Sequence, residues 1–236
     1  IIGDNGTDVA NYKAMQFTGS AVSSMSMDER FTLTNMTTEA GAKNGIIEPD
    51  ERTIAYVRER TDAEFKAVRS DTDAEYEDVF TYEIDRLEPV VAKPYSPANI
   101  SYARELGSIE VDKAYIGSCT GAKYTDLLEA ARILKGKRAK VRLEVLPATQ
   151  SIYMRAMKDG ILSILLEAGA VIGPPTCGAC CGAHMGVLAK DEVCISTTNR
   201  NFPGRMGHVE SKTYLASPKV VAASAVTGRI TDPRDI

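Results

Sequence analysis

The second half of the chain alternates short apolar runs rich in β-branched residues with segments whose apolar residues recur every three or four positions. The first pattern is typical of buried strands and the second of helices with one apolar face. Strands are predicted at 111–117, 141–147, 170–173, 193–197 and 213–217. Helices are predicted at 125–136, 151–160, 161–169, 185–190 and 218–227. This alternation favours right-handed crossovers and a parallel sheet with helices on both faces.

The first half is less regular. Apolar residues three and four positions apart predict a helix over 8–26, and similar patterns predict helices over 29–43 and from Asp50 onward. The β-branched and aromatic residues of 79–92 predict one or two strands. The segment KPYSPAN at 93–99 has two prolines and no periodicity, which is typical of a linker.

We therefore predict an α/β fold in two parts, a smaller α/β portion over 1–99 and a parallel α/β domain over 100–236. Ligands of parallel sheets bind at the carboxyl ends of the strands. Four predicted strand-to-helix junctions reach that edge and carry GSCTGAK (117–123), PATQ (147–150), GPPTCGACCGAH (173–184) and STTNRNFPGR (196–205).

Composition and charge argue against two classes of protein, general nucleic-acid binders and membrane-spanning proteins. The 236 residues carry a net charge of −4, so the basic footprint of a general nucleic-acid binder is missing. The longest apolar stretch, 161–173, is interrupted by Ser163 and Glu167 and falls short of the roughly 18 residues of a membrane span. The chain starts with neither Met nor a signal-peptide pattern, so we expect it to be part of a longer protein.

Four of the five cysteines lie within 177–194, which indicates metal or redox chemistry in a reducing compartment such as the cytoplasm. Cys119, Cys177 and Cys180 follow strands that end at the same edge. Three thiolates suit an iron–sulfur cube with one iron open to substrate. A zinc site, which needs a fourth ligand, and a redox pair or structural cysteines remain alternatives. Cys181 is a poor fourth ligand because adjacent side chains diverge.

Charged and amide side chains accompany the cysteines. Arg200 and Arg205, with Asn199 and Asn201 beside them, suit a di- or tricarboxylic acid because guanidinium groups bind carboxylates in bidentate fashion. A surface turn with local ion pairs is the alternative. In the first half, Asn35 and Glu39 share a helix face, and Glu39 is either a general base or acid or a solvated surface residue. For His184 a structural role is the simpler interpretation.

These motifs together resemble the aconitase superfamily, in particular the large subunits of its isopropylmalate dehydratase and homoaconitase branch. The resemblance rests on GSCT around Cys119, on PTCGACCGAHMG, STTNRNFPGRMGH and RFTLTNMTTEAGAKNGIIEPDE, and on the closing AASAVTGRITDPRDI. It covers nearly the whole chain in the same order.

The resemblance implies a role for each matching residue. Cys119, Cys177 and Cys180 match the three ligands of a 4Fe-4S cluster. Asn35 and Glu39 match catalytic residues. The substrate-binding residues are matched by Asn199, Arg200 and Arg205. The implied function is a hydro-lyase acting on a 2-hydroxy acid, with 3-isopropylmalate of leucine biosynthesis as the expected substrate.

Alternatives to that function stay open. Homoaconitase, 2,3-dimethylmalate dehydratase and aconitase are enzymatic alternatives, and an apo or zinc-bound protein for binding or iron sensing is a non-enzymatic one. The chain departs from the family at Gly121, Ala122 and Lys123, where Asn-Gly-Arg is common, and this leaves the substrate open. Cys181 replaces an aliphatic residue, and we expect it, like Cys194, to be a packing thiol.

The family's remaining catalytic groups have no match in the chain. Its His and Asp residues lie in an N-terminal domain of the large subunit, and its serine base lies on a swivelling domain or small subunit. The two histidines, His184 and His208, are in no matching motif. We therefore expect a small-subunit partner in a heterodimer or heterotetramer, the N-terminal remainder of the large subunit, and no useful activity from this chain alone.

Overall fold

The computed structural model describes residues 1–236. The strands are β1 (Ala14–Phe17), β2 (Asn44–Ile47), β3 (Val90–Ala92), β4 (Ile100–Tyr102), β5 (Lys113–Ile116), β6 (Arg142–Val145), β7 (Val171–Ile172), β8 (Val193–Ser196) and β9 (Lys212–Ala216). The α-helices are α1 (Ile2–Asn5), α2 (Ser20–Ser24), α3 (Met27–Met36), α4 (Glu51–Arg58), α5 (Ser118–Gly121), α6 (Tyr124–Leu134), α7 (Gln150–Lys158), α8 (Ile161–Glu167) and α9 (Pro218–Thr227).

Seven strands form the main sheet, in the order β4-β3-β9-β8-β5-β6-β7. The five strands from β9 to β7 are parallel, whereas β3 pairs antiparallel with both β9 and β4. The predicted α/β class with a mostly parallel sheet is confirmed. A separate parallel pair, β1 and β2, belongs to the first part of the chain.

The two faces of the main sheet are covered differently. Ala114 and Ile116 of β5 share a buried apolar cluster with residues of α6, α7, α8 and α9. The intervening Tyr115 lies in a second cluster with Ala179 and Cys180, which belong to the loop after β7. Since the β7–β8 connection contains only a 3₁₀ turn, loops take the place of the helical layer predicted on this face. The predicted cysteine loop therefore lies directly on the sheet.

The first part departs most from its pattern. The predicted helix over 8–26 is wrong, because Ala14–Phe17 pairs with Asn44–Ile47 and only Ser20–Ser24 is helical. The predicted helix over 29–43 begins at Met27, behind a capping box, and ends at Met36, followed by the 3₁₀ turn Thr37–Ala40. Strand pairing to a distant segment thus overrides the local helical spacing.

The helix predicted to start at Asp50 is confirmed, with the Asp50 carboxylate accepting a hydrogen bond from the Thr53 amide. Of 79–92 only Val90–Ala92 is a strand. The predicted linker 93–99 is the connection between the paired strands β3 and β4 of the main sheet. The boundary at residue 99 stays a prediction.

The predicted helix over 185–190 does not form. Met185 and Gly186 have φ of 51° and 82°, which an α-helix excludes, and Leu188 instead bridges to Gly207. No helix is long and apolar enough to cross a membrane.

Asp50 links α3 to α4. Its carboxylate accepts hydrogen bonds of 2.7 and 2.5 Å from the buried guanidinium of Arg30. We expect Asp50→Asn to keep the cap on α4 but to lose the ion pair, at a cost of about 1 kcal/mol because the partly exposed Asp50 is screened by solvent. Denaturant unfolding at neutral pH checks this value, with the exposed Asp62→Asn as control.

The same variant predicts a pH dependence. The Arg30 guanidinium holds the pKa of the Asp50 carboxyl well below its ordinary value. Stability from the pair is therefore complete above the ordinary Asp pKa of about 3.9 and is lost as the pH falls through the lower value of the folded protein. The difference in unfolding free energy between wild type and Asp50→Asn should shrink below about pH 4. A difference that grows with acidification would contradict the ion pair.

Candidate active site at the carboxyl edge of the sheet

Cys119 is held in a tight turn at the end of β5. The turn is tied to β8 by Thr197, whose hydroxyl accepts a hydrogen bond from the Gly117 amide at 2.9 Å and lies 3.2 Å from the Gly121 carbonyl oxygen. A Cβ atom on Gly121 would overlap the side chain of Thr197, so only glycine fits there. This close approach accounts for one departure from the family pattern, glycine where asparagine is common. It places the Cys119 turn beside the Asn199 segment.

Lys123, the last of the three departing residues, is part of the same turn. Its side chain is buried, and the ammonium donates to the Thr120 carbonyl at 3.0 Å and lies 3.2 Å from the Asp126 carboxylate. A lysine engaged in this way closes the C-terminal end of α5, where backbone carbonyls lack partners. Lys123 therefore supports the Cys119 turn and does not extend toward the arginines.

The loop after β7 carries the C-x-x-C pair. Cys177 is exposed, whereas Cys180 is buried in the 3₁₀ turn Gly178–Cys181. Cys181 is also exposed, so its predicted packing role is wrong; its thiol lies 3.5 Å from the Gly178 carbonyl oxygen. Cys194 is a packing thiol as predicted, since it is fully buried and burial raises its pKa to about 12.

The first part of the chain reaches this edge through α3. Asp28 accepts hydrogen bonds from the amide and hydroxyl of Thr125 at 3.1 and 3.0 Å, and Thr32 donates to the Thr120 carbonyl at 3.1 Å. Docked in this way, α3 places the Asn35 side-chain oxygen 3.5 Å from the thiol of Cys119. A residue from far along the chain thus joins the cysteine turn.

Glu39 is the centre of a second contact between the two parts. One oxygen of its carboxylate accepts hydrogen bonds from the Asn199 amide at 2.8 Å and from Arg200 Nε at 2.6 Å. Its side chain is only 9% exposed, against 34% for Arg200. The terminal nitrogens of Arg200 therefore remain available beside a carboxylate that Asn199 and Arg200 orient. The structure brings together Glu39, Asn199 and Arg200.

Arg205 lies on the cysteine side of the same edge. Its Nη2 is 3.9 Å from the Cys180 sulfur, and its buried Nε has no hydrogen-bond partner. An unpartnered buried donor costs free energy unless another acceptor meets it, which suits a bound anion or sulfide. Asn201, in contrast, donates to the Lys93 carbonyl at 2.8 Å and anchors its loop to the β3–β4 connection.

The two histidines lie outside this arrangement. His184 is exposed and contacts the Thr176 hydroxyl at 3.2 Å, which agrees with a structural role. His208 lies near the exposed Glu210, with 3.8 Å between the ring nitrogen and the carboxylate.

The donor set bears on which metal group the edge could hold. No three His, Cys, Asp or Glu side chains converge on a point that would hold one ion, so a closed zinc site is not formed. An iron–sulfur cube places each thiolate on a different iron and needs the sulfurs spread apart. Three cysteines without a fourth match the number and type of thiolate ligands of a cube with one open iron, and the Arg205 donor beside Cys180 suits a sulfide.

The fold and this edge define a class: an α/β protein with a mostly parallel sheet, at whose carboxyl edge cysteines and arginines meet a carboxylate from the first part of the chain. The chain belongs to the aconitase family, whose model, described as aconitate hydratase, matches residues 1–104 and 99–228. The resemblance stated from the motifs is therefore confirmed.

Relatives with assigned functions show to which proteins of the aconitase family the chain is similar. The chain is 52% identical over 237 residues to the 3-isopropylmalate dehydratase large subunit of Heliobacterium modesticaldum, covering 100% of the chain and 56% of that protein. It is 52% identical over 238 residues to the corresponding subunit of Clostridium kluyveri, covering 100% of the chain and 57% of that protein. The large subunit 1 of Pyrococcus abyssi gives 52% over 240 residues, with 100% and 56% coverage. The chain thus spans little more than half the length of these relatives.

Proposed function

We propose that the chain is the cluster-bearing portion of the large subunit of a 3-isopropylmalate dehydratase, acting in the cytoplasm. The observation that carries the proposal is the contact of Glu39 with Asn199 and Arg200, at the edge where Cys119 and the C-x-x-C loop also lie. The names of the relatives support the substrate class.

Cys119, Cys177 and Cys180 would hold a 4Fe-4S cluster. When bound, such a cluster supplies a Lewis-acidic iron that polarises the hydroxyl group of a 2-hydroxy acid. Cys180 receives the Arg205 donor at 3.9 Å, which would help to neutralise the negative charge of thiolate and sulfide. The exposed thiol of Cys177 lies toward the solvent side, where a substrate would approach.

The arginines provide the recognition of carboxylates. The Nε of Arg200 donates to Glu39, which fixes the plane of the guanidinium. The terminal nitrogens of Arg200 are then free to bind a substrate carboxylate. Arg205 offers its unpartnered Nε on the cysteine side. Two guanidinium groups on one short segment therefore suit an acid with more than one carboxylate.

Glu39 and Asn35 provide the groups for proton transfer and orientation. Only one oxygen of Glu39 has a hydrogen-bond partner, so the second is available to accept a proton from carbon or water. Asn35 directs its carbonyl oxygen at the Cys119 thiol, leaving its NH₂ group to donate to a substrate oxygen.

The working enzyme would need two further parts, a small swivelling subunit and the remainder of the large subunit. The expected result is that the full large subunit with its small subunit interconverts 2- and 3-isopropylmalate faster than it hydrates or dehydrates citrate, homocitrate or 2,3-dimethylmalate. The chain of 236 residues alone should show no turnover after anaerobic loading with iron and sulfide. A preference for another acid, or turnover by the chain alone near that of the complex, would contradict the proposal.

A further inference from the structure

Tyr115 lies between the two cysteine-bearing turns. It is 0% exposed, and its hydroxyl donates a hydrogen bond of 2.8 Å to the carbonyl of Cys177. A Cβ atom on Gly117 would lie 2.5 Å from the phenol ring and from its oxygen, and one on Gly178 would lie 2.9 Å from the phenol oxygen. The ring is thus in direct contact with the backbone that leads into Cys119 and with the turn between Cys177 and Cys180.

The surroundings of Tyr115 keep it in one place. Its ring belongs to a buried cluster formed with Leu146, Leu188 and Met206 and with Ala179, Cys180 and Cys194. Because interiors are close-packed, a ring in such a cluster cannot shift without moving its neighbours.

The same strand holds the far end of the cysteine loop. Lys113, two residues before Tyr115, points to the same face of the sheet, as alternate residues of a strand do. Its buried ammonium lies 2.6 Å from the Glu144 carboxylate and donates to the Gly186 carbonyl. Strand β5 therefore contacts the loop at Cys177 through Tyr115 and at Gly186 through Lys113.

We propose that Tyr115 is a positioning residue that sets the spacing between the Cys119 turn and the C-x-x-C turn, and thereby prepares the three thiols to receive a cluster. The proposal rests on the proposed function, in which these thiols are the ligands. It assigns Tyr115 no contact with substrate: the ring acts as a spacer and the hydroxyl as the anchor of the Cys177 backbone.

Two variants separate these contributions. Tyr115→Phe keeps the spacer and removes the anchor, so that the Cys177 carbonyl keeps only the hydrogen bond from the Cys180 amide. Tyr115→Leu removes the ring as well. The matched control is Tyr214→Phe, which removes a hydroxyl from a buried tyrosine in the cluster on the helical face of the sheet.

The first measurement needs no cluster. Hydrogen exchange of the segment 174–182 in the apo full chain should be about two- to tenfold faster in Tyr115→Phe than in wild type, since one hydrogen bond of ordinary strength is lost. Tyr115→Leu should exchange faster still, and Tyr214→Phe should match wild type. Thermal unfolding shows whether each variant folds. If Tyr115→Leu does not fold, the test of the positioning role rests on Tyr115→Phe alone.

The second measurement uses protein loaded anaerobically with iron and sulfide. After transfer to a chelator, the visible absorbance of the cluster should decay about two- to tenfold faster in Tyr115→Phe than in wild type and in Tyr214→Phe. Equal decay and equal exchange in a folded Tyr115→Phe would overturn the positioning role. Failure of wild type to take up a cluster at all would instead overturn the proposed function, and the exchange result would still stand as its own test.

Discussion

Cys177→Ser is expected to abolish cluster binding almost completely, whereas Cys181→Ser is expected to leave it unchanged. The two cysteines are four residues apart and both are exposed, so they differ in position and not in accessibility. The Cys177 carbonyl is held by Tyr115 at the start of the turn, whereas the Cys181 thiol lies at the end of the turn beside the Gly178 carbonyl. A serine hydroxyl is a poor ligand for iron–sulfur chemistry, in which thiolates are preferred.

The measurement is the iron and sulfide content of the chain after anaerobic reconstitution, together with its visible absorbance. Wild type and Cys181→Ser should be brown and contain iron and sulfide in equal amounts, and Cys177→Ser should be colourless. If Cys177→Ser were brown and Cys181→Ser colourless, Cys181 and not Cys177 would be the cluster ligand. Stoichiometric zinc with no colour in wild type would favour a zinc-bound cysteine protein over the hydro-lyase.

Glu39→Gln is expected to lower kcat of the full complex by about 10²- to 10⁴-fold, the usual contribution of a general acid or base. Glutamine has nearly the same shape and keeps an oxygen for the Asn199 amide, but it cannot take up a proton. It also removes the charge that pairs with Arg200 at 2.6 Å, so KM should rise as the guanidinium loses its orientation.

Steady-state kinetics of the full large subunit with its small subunit would measure both parameters. The control is Glu83→Gln, which makes the same chemical change at an exposed position with no ion pair. If kcat were unchanged and KM raised, Glu39 would only orient Arg200 and would not transfer a proton. If neither kcat nor KM changed, Glu39 would not belong to the site.

The two halves of the chain differ in how well sequence periodicity predicts their secondary structure. In the second half most strands of the parallel sheet are largely buried and helices such as α6 bury one face, so periodicity identifies them, although Val171 of the edge strand β7 is exposed and the helix predicted over 185–190 does not form. In the first half, Ala14–Phe17 is a strand only because Asn44–Ile47 lies beside it, a contact that no local pattern contains. The β-branched and aromatic residues of 79–89 resembled a strand. They form none, because the exposed stretch 58–87 has no sheet against which its apolar residues could pack.

The candidate site divides in the same way. Residue type and spacing made Cys119, Cys177, Cys180 and Arg200 candidate site residues, and the resemblance to the aconitase superfamily added Glu39, so all five were proposed without coordinates. Tyr115, Thr197 and Lys123 carry no such signal. Their importance comes from what they touch: the Cys177 carbonyl, the Gly117–Gly121 turn and the Thr120 carbonyl. The adjacency of Tyr115 to the GSCT motif was the one available sign that it lies near the site.

The sequence by itself determined the fold class, the motifs and the chemistry of their side chains, because periodicity and residue type are local properties that survive without a partner. The contacts between segments came from packing. Asp28 docking on Thr125 brings Asn35 to Cys119, and the β5–β8 pairing brings Asn199 to the same edge, where it meets Glu39. These are contacts between residues far apart in the chain, and such contacts are selected by shape and hydrogen-bond complementarity that only the folded chain expresses.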